Sequence, residues 1–191
     1  MRASSSFKFF KIALLLALFG LAFFFASNFE YSATSGVKIL DFDKQRDTQF
    51  LIDSFDEERY LLTNNPDFSV QFMVDHMTPV QYHDPSQFGK QQIRIAFAKG
   101  EPVGFIAYHM KNFYEGKIHL LEVRKAHHGH GYATKLIKSA IEHLKAQGAK
   151  VIKLDTRVDN QPARNLYTKL GFQLIDESDG FVHFVLKTAP A

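Results

Sequence analysis

No cysteine occurs in the 191-residue chain. Disulfide scaffolds, cysteine nucleophiles and thiolate metal sites are thereby excluded. The compartment stays open, because a cysteine-free chain is comfortable in reducing and oxidising surroundings alike. A dominant charge is also lacking: 23 Lys and Arg stand against 20 Asp and Glu, a net of +3, with the two signs interspersed. Without a basic stripe or a strongly basic balance, nucleic acid is not expected as a partner. The length allows one ordinary domain with a real core and is too short for two of normal size. Phenylalanine, by contrast, is abundant, and many of its 20 copies crowd the first thirty residues.

That N-terminal stretch, "MRASSSFKFFKIALLLALFGLAFFFASNFEYS", is a unit of its own. Arg2, Lys8 and Lys11 precede an uncharged apolar run from Ile12 to Ala26. At about 1.5 Å per helical residue the run is short against a bilayer core of about 30 Å. Phe9 and Phe10 extend it if Lys8 and Lys11 snorkel toward the head groups. Small or polar residues follow at Ala26, Ser27 and Asn28, but no A-x-A cleavage pattern does. Residues 1–31 therefore read as a single-pass membrane anchor, or signal-like segment, that stays attached. The charge bias places the N-terminus inside and the remainder outside. Residues 36–188 read as the folded domain, after a short linker, "SATSGV".

Within that domain "VKILDFD" reads as a first strand. Phe50, Leu51, Phe55 and Leu61 have helical spacing, and "NPDFSVQFMVDHMTP" reads as a further helix with Pro66 in its first turn and Pro79 at its end. Three strand signals follow. Ile93, Ile95 and Phe97 alternate onto one face of "QIRIAFAKG"; "VGFIAYHMKNFY" comes after a "GEP" turn, and "IHLLEV" after an "EGK" turn. Such spacing predicts an antiparallel meander.

The stretch "HHGHGYATKLI" leads directly from the third strand into a helix. Ala133, Leu136, Ile137, Ala140, Ile141 and Leu144 share one side of it, and Gly148 stops it. A strand, a glycine loop and a helix in that order present the unpaired N–H groups and the positive dipole end of the helix to whatever lies in the loop. Such a site suits phosphate. An ordinary strand-to-helix turn has the same local pattern, so the downstream residues matter. "VIKLDTRVDN" reads as another strand, "NQPARNLYTKLGF" as a short helix with Pro162 early, and "FVHFVLK" as the last strand.

Together these residues resemble the GCN5-related N-acetyltransferase (GNAT) superfamily. The family signature Arg/Gln-x-x-Gly-x-Gly/Ala is matched by His128, Gly129, His130, Gly131, Tyr132 and Ala133, with His128 in place of Arg or Gln. A second signature is matched by Asn160, Ala163, Tyr167, Leu170, Gly171 and Phe172, one strand later. The resemblance spans roughly residues 91 to 186. It implies an α/β (α+β) fold, a mixed, mostly antiparallel twisted sheet flanked by helices. It also implies direct transfer of an acetyl group from acetyl-CoA, as co-substrate, to an amine acceptor, either a small molecule or a peptide, in a ternary complex.

Carried over position by position, the resemblance makes the backbone amides from Gly129 through His130, Gly131, Tyr132, Ala133 and Thr134 the pyrophosphate cradle. A neutral His128 can still donate one hydrogen bond, so cofactor binding is expected to be weakened or pH-sensitive rather than lost. The Val123 N–H would stabilise the thioester oxyanion, and Glu122 and Val123 would pair with the pantetheine arm through their peptide groups. Tyr167 would protonate the departing thiolate, and Asn160 would hold the cofactor arm or its own turn. Glu122 is the candidate base, with His119, Glu115, Tyr108 and Asp155 as rivals. Strand alternation puts Glu122 on the face of Ile118 and Leu120, opposite His119. Zinc is not expected, since alternating loop histidines such as His127, His128 and His130 seldom converge on one ion. The alternative is a non-catalytic acyl-CoA-binding or scaffolding module on the same fold. The anchor raises a conflict of place, because its charge bias exports a domain whose donor is an intracellular metabolite.

Overall fold

The computed structural model describes residues 36–63, 65–76 and 90–188. The anchor and most of the linker expected at residues 1–35 lie outside the described residues. Among the described residues, no helix is long and apolar enough to cross a membrane.

The chain forms β1 (Lys38–Asp41), then three helices: α1 (Lys44–Glu57), α2 (Arg59–Leu62) and α3 (Val70–His76). The strands β2 (Gln92–Ala98), β3 (Glu101–Met110) and β4 (Glu115–Val123) follow. The second half is α4 (Tyr132–Ala146), β5 (Val151–Arg157), α5 (Gln161–Lys169), β6 (Gln173–Ser178) and β7 (Phe181–Lys187). Among the described residues, seven strands make one sheet in the order β1-β2-β3-β4-β5-β7-β6. Every neighbouring pair is antiparallel except β4 with β5. The expected mixed, mostly antiparallel sheet is thus present.

Local chemistry sets the element ends. Asp43 caps α1, its side chain accepting from the Arg46 N–H at 2.8 Å. α3 begins at Val70 rather than at Pro66, because Ser69 takes the capping role: its Oγ accepts from the Phe72 N–H at 3.1 Å. The β3–β4 turn also falls earlier than expected. Asn112 Oδ1 accepts from the N–H groups of Tyr114 and Glu115, closing a turn before "EGK" rather than within it. Gly116 consequently lies inside β4, where a Cβ would meet Leu144 of α4 at 2.9 Å. Here the glycine marks a close approach between helix and sheet.

Helices cover both faces of the sheet. On one, Leu136, Ile137, Ala140 and Leu144 of α4 pack against Ile106, Tyr108, Ile118, Ile152 and Leu154. On the other, Phe50, Leu51 and Phe55 of α1 and Met73 and Val74 of α3 pack against Ile93, Ile95, Phe105, Ala107 and Leu120. Each fully buried aliphatic or aromatic side chain contributes about 1.5–3 kcal/mol by leaving water. The alternation expected for Ile93 and Ile95 holds. That expected for β4 does not. Ala107 pairs with Leu120 and Tyr108 with Ile118, so His119 is the extra residue of a β-bulge. The bulge sends Ile118 to the α4 face and Leu120 to the α1 face, and Glu122, two residues on, follows Leu120.

β4 and β5 pair only from Glu115 to Lys117 against Val151 to Lys153. Beyond these three pairs the strands part. On its other side β4 is fixed tightly to β3. A Cβ on Gly104 would lie 2.6 Å from the Glu122 carbonyl oxygen and 2.9 Å from Val123 Cγ2. Gly104→Ala must therefore displace backbone, and it should destabilise the domain by about 1–3 kcal/mol. A lowered urea midpoint at unchanged m-value is the expected reading, and an unchanged midpoint would show that β3 and β4 are free to separate.

Candidate active site

Where β4 and β5 part, a cavity of about 710 Å³ opens. The first turn of α4 and the loop before it form one wall, α5 another, and the α1–α2 junction with the β6–β7 turn closes the remainder. Val123, His128, Gly129, Gly131, Tyr132, Ala133, Thr134, Asn160, Tyr167 and Glu122 all line it. Ten of the eleven residues singled out in the sequence are thus gathered around one space.

His130 is the exception. Its exposed ring stacks on Tyr132 at 5.6 Å between centroids, and its Nδ1 lies 2.9 Å from the His128 carbonyl. Only its backbone can serve a loop site. Gly129 and Gly131 have φ of 78° and 76°, a left-handed conformation that favours glycine, and nothing lies within 4 Å of a Cβ built on either. Both are thus needed for backbone shape, and the space beside them is free. Gly131 occupies the N-cap position of α4 without any side-chain cap. The first N–H groups of this helix have no intrahelical acceptor, and they open into the cavity.

Val123 presents its peptide edge to the same space. The Arg124 N–H donates to the Val103 carbonyl at 3.0 Å, toward β3. Alternation along the strand turns the peptide groups of Val123 to the opposite, parted side, and those of Glu122 back toward β3. The pairing role expected of both residues therefore narrows to Val123. His128 reaches this edge: its Nε2 donates to the Val123 carbonyl at 2.5 Å. The imidazole ties the glycine loop to β4 rather than pointing at an anion. His127, His128 and His130 have different partners, and among the described residues no group of three metal-ligating side chains comes together.

Tyr167 is buried between Phe172 and Phe184, with ring centroids at 6.0 and 5.6 Å. Burial, with a smaller contribution from Asp155, raises its phenol well above the ordinary range, so it stays protonated at all working pH. Asn160 caps α5, its Oδ1 accepting from the Ala163 N–H at 3.3 Å. Of the two roles expected for it, the local turn is the one the structure displays.

Glu122 is 5% exposed on the α1 side, and neither carboxylate oxygen has a hydrogen-bond partner of ordinary geometry. Burial raises its pKa from 4.5 to about 8; nearby Glu57 adds to this, and Ser54 and Arg124 offset it only in part. Among its rivals, Glu115 is tied up with Lys153 at 2.9 Å and Tyr108 with His143 at 2.7 Å, both away from the cavity. His119 does line the cavity, but burial, followed by the charge of Lys117, lowers it to about 4.

Asp155 lines the cavity too, and it brings residues that the sequence did not single out. It forms a short ion pair with Lys117, and its Oδ1 lies 2.8 Å from His183 Nδ1. The alternation of "FVHFVLK" could have put His183 opposite the inward Val182 and Phe184, but its neighbour on β5 is set by register alone.

The profile of the Acetyltransferase (GNAT) family matches residues 52–172. The chain belongs to the GNAT acetyltransferase family. N-alpha-acetyltransferase 30 of Schizosaccharomyces pombe is 42% identical over 57 residues, 30% of this chain and 38% of that protein. N-alpha-acetyltransferase MAK3 of Arabidopsis thaliana is 36% identical over 81 residues, 41% of this chain and 43% of that protein. The matches thus span less than half the length of these relatives. The crystal structure of the NatC complex bound to Gag peptide and CoA superposes with a TM-score of 0.61 at 22% identity, over 80% of this chain and 99% of that one. At that identity the likeness shows the GNAT fold.

Glu122 makes stability pH-dependent. The native carboxyl keeps its proton to about pH 8, whereas the unfolded one releases it near 4.5. Its contribution is full below the lower value and is lost as pH rises through the higher one. Glu122→Gln has no proton to lose. Its thermal midpoint relative to wild type should rise between those two values and then level off; a constant difference would show Glu122 ionised in the native state.

Proposed function

We propose that the chain is an N-acetyltransferase that moves the acetyl group of acetyl-CoA to an amine by direct transfer in a ternary complex. One observation carries the reading: the uncapped start of α4, the Val123 N–H on the side facing away from β3 and the buried Tyr167 phenol share a single cavity. Family membership and the CoA in the NatC complex support it.

The residues fit the co-substrate. The N–H groups from Gly129 to Thr134 face a diphosphate with the positive end of the helix dipole. The Val123 N–H donates to the thioester oxygen as negative charge develops there. As the amine nitrogen bonds to the carbonyl carbon and the carbon–sulfur bond breaks, the Tyr167 hydroxyl gives its proton to the departing thiolate and regains one from the nitrogen as the amide forms. In its ionised form, which prevails only above about pH 8, Glu122 takes the proton of the incoming ammonium. Its value of about 8 is close to the ~7.7–8.0 of a peptide α-amine, so this transfer is nearly balanced in energy. His128 positions the loop through Val123 and leaves the anion to the backbone. The names of the relatives, both N-alpha-acetyltransferases, favour the α-amine of a polypeptide as acceptor.

Calorimetry with acetyl-CoA, followed by thiol release across peptides, polyamines and aminoglycosides, tests the proposal. Tyr167→Phe should lower kcat by about 10²–10⁴-fold with little change in acetyl-CoA affinity. Binding without turnover on any amine would favour the non-catalytic module instead.

The proposal extends to place. Residues 1–31 would attach the enzyme to a membrane through the run from Ile12 to Ala26. A reporter fused at the C-terminus and active in one compartment only should fractionate with membranes and identify the side. Recovery in the soluble fraction would remove the anchor from the account.

A further inference from the structure

We propose that Ser178, His183 and Asp155 form an acyl-transfer triad that, when no amine is bound, takes the acetyl group from the thioester onto Ser178 and passes it to water. This would be an acyl-CoA hydrolase activity, and it rests on the cofactor site described above.

Hydroxyl, imidazole and carboxylate stand in the order that nucleophilic catalysis requires. Ser178 Oγ lies 3.0 Å from His183 Nε2, and His183 Nδ1 lies 2.8 Å from Asp155 Oδ1. The fold makes this arrangement locally. Asp155 and His183 are register partners on β5 and β7. The β6–β7 connection is a tight two-residue turn, with φ of 51° at Asp179 and 78° at Gly180. It brings Ser178 opposite Phe181, and hence diagonal to His183. All three residues border the cavity that Val123 and Tyr167 also line, and Ser178 is exposed to it.

The surrounding charges keep the carboxylate ionised. Burial works against this, but Lys117, through its charge and hydrogen bond, and His183 outweigh it, so that Asp155 lies below its ordinary value of 3.8. From β6, Asp176 is the register partner of His183, and Asp179 lines the cavity beside it. Arg157 of β5 is engaged elsewhere, donating to the Tyr60 and Thr63 carbonyls. Asp155 already has Lys117 as its ion partner, and His183 is 30% exposed to water. Satisfying either group therefore does not require a hydroxyl at Ser178.

The step balances. Ser178 Oγ bonds to the acetyl carbon as its proton passes to His183 Nε2. The carbon–sulfur bond breaks, and the thiolate leaves with the proton from His183 Nε2. Water then gives a proton to His183 and bonds to the acetyl carbon; the bond from that carbon to Ser178 Oγ breaks, and His183 returns the proton to Oγ, releasing acetate and restoring the hydroxyl.

The test uses the full chain with acetyl-CoA and no amine. Free thiol and acetate should appear in equal amounts, and acid quenching should reveal an acetyl mass on the peptide carrying Ser178. Ser178→Ala and His183→Gln should each lower release by about a hundredfold, with thermal midpoint and acetyl-CoA affinity retained. Ser178→Cys should again carry the acetyl mass. Wild-type release from Ser178→Ala, or an unmodified Ser178 while release continues, overturns the triad and leaves the amine transferase standing. Failure of the wild-type chain to bind acetyl-CoA in calorimetry removes both.

Discussion

The parting of two parallel strands governs this molecule. β4 and β5 hold together for three residue pairs and then separate. Backbone N–H and C=O groups need partners when they leave water. A strand that loses its neighbour halfway along therefore presents a ladder waiting for another extended chain. Val123 is the residue through which that ladder opens, since the neighbouring peptide groups are committed to β3. A pantetheine arm has amides to offer such an edge. The separation also makes the cavity, and so brings the start of α4, Tyr167 and the β6–β7 turn to a common space.

Two electrostatic regimes meet there. Burial dominates for Tyr167 and Glu122, which are pushed up, and for His119, which is pushed down. All three favour their neutral forms, as groups removed from water do. At Asp155 the Lys117 charge prevails over burial, and the carboxylate stays ionised beside His183. Proton donors and acceptors with opposed preferences thus border one cavity, the condition under which acid and base roles can coexist. The start of α4 adds a fixed positive field to one wall of the cavity, of the kind that suits a phosphate.

His128 shows how a departure from a family pattern can be absorbed. An Arg or Gln at this position can hydrogen-bond in several directions. The imidazole spends one donor on the Val123 carbonyl, thereby coupling the glycine loop to the strand edge. The main-chain N–H groups of the loop are left as they are, since a side-chain replacement does not remove them.

Much was legible in the residues alone. The period of Leu136, Ile137, Ala140 and Leu144 specified α4 and its buried face, because helix periodicity depends on nothing beyond the segment. The glycines at 129 and 131 and the Asn160-to-Phe172 stretch specified two walls of the cavity, because backbone conformation and helix capping are local properties. Tertiary structure decided what depends on register and burial. The bulge at His119 moved Ile118 to the other face, and the Asn112 turn drew β4 back to Glu115. Cross-strand pairing joined Asp155 to His183 across 28 residues of sequence. Desolvation by distant helices shifted Glu122 to about 8. Apart from the Asn112 turn, which is local, each of these results from contacts between segments far apart in the chain, and no local pattern encodes them.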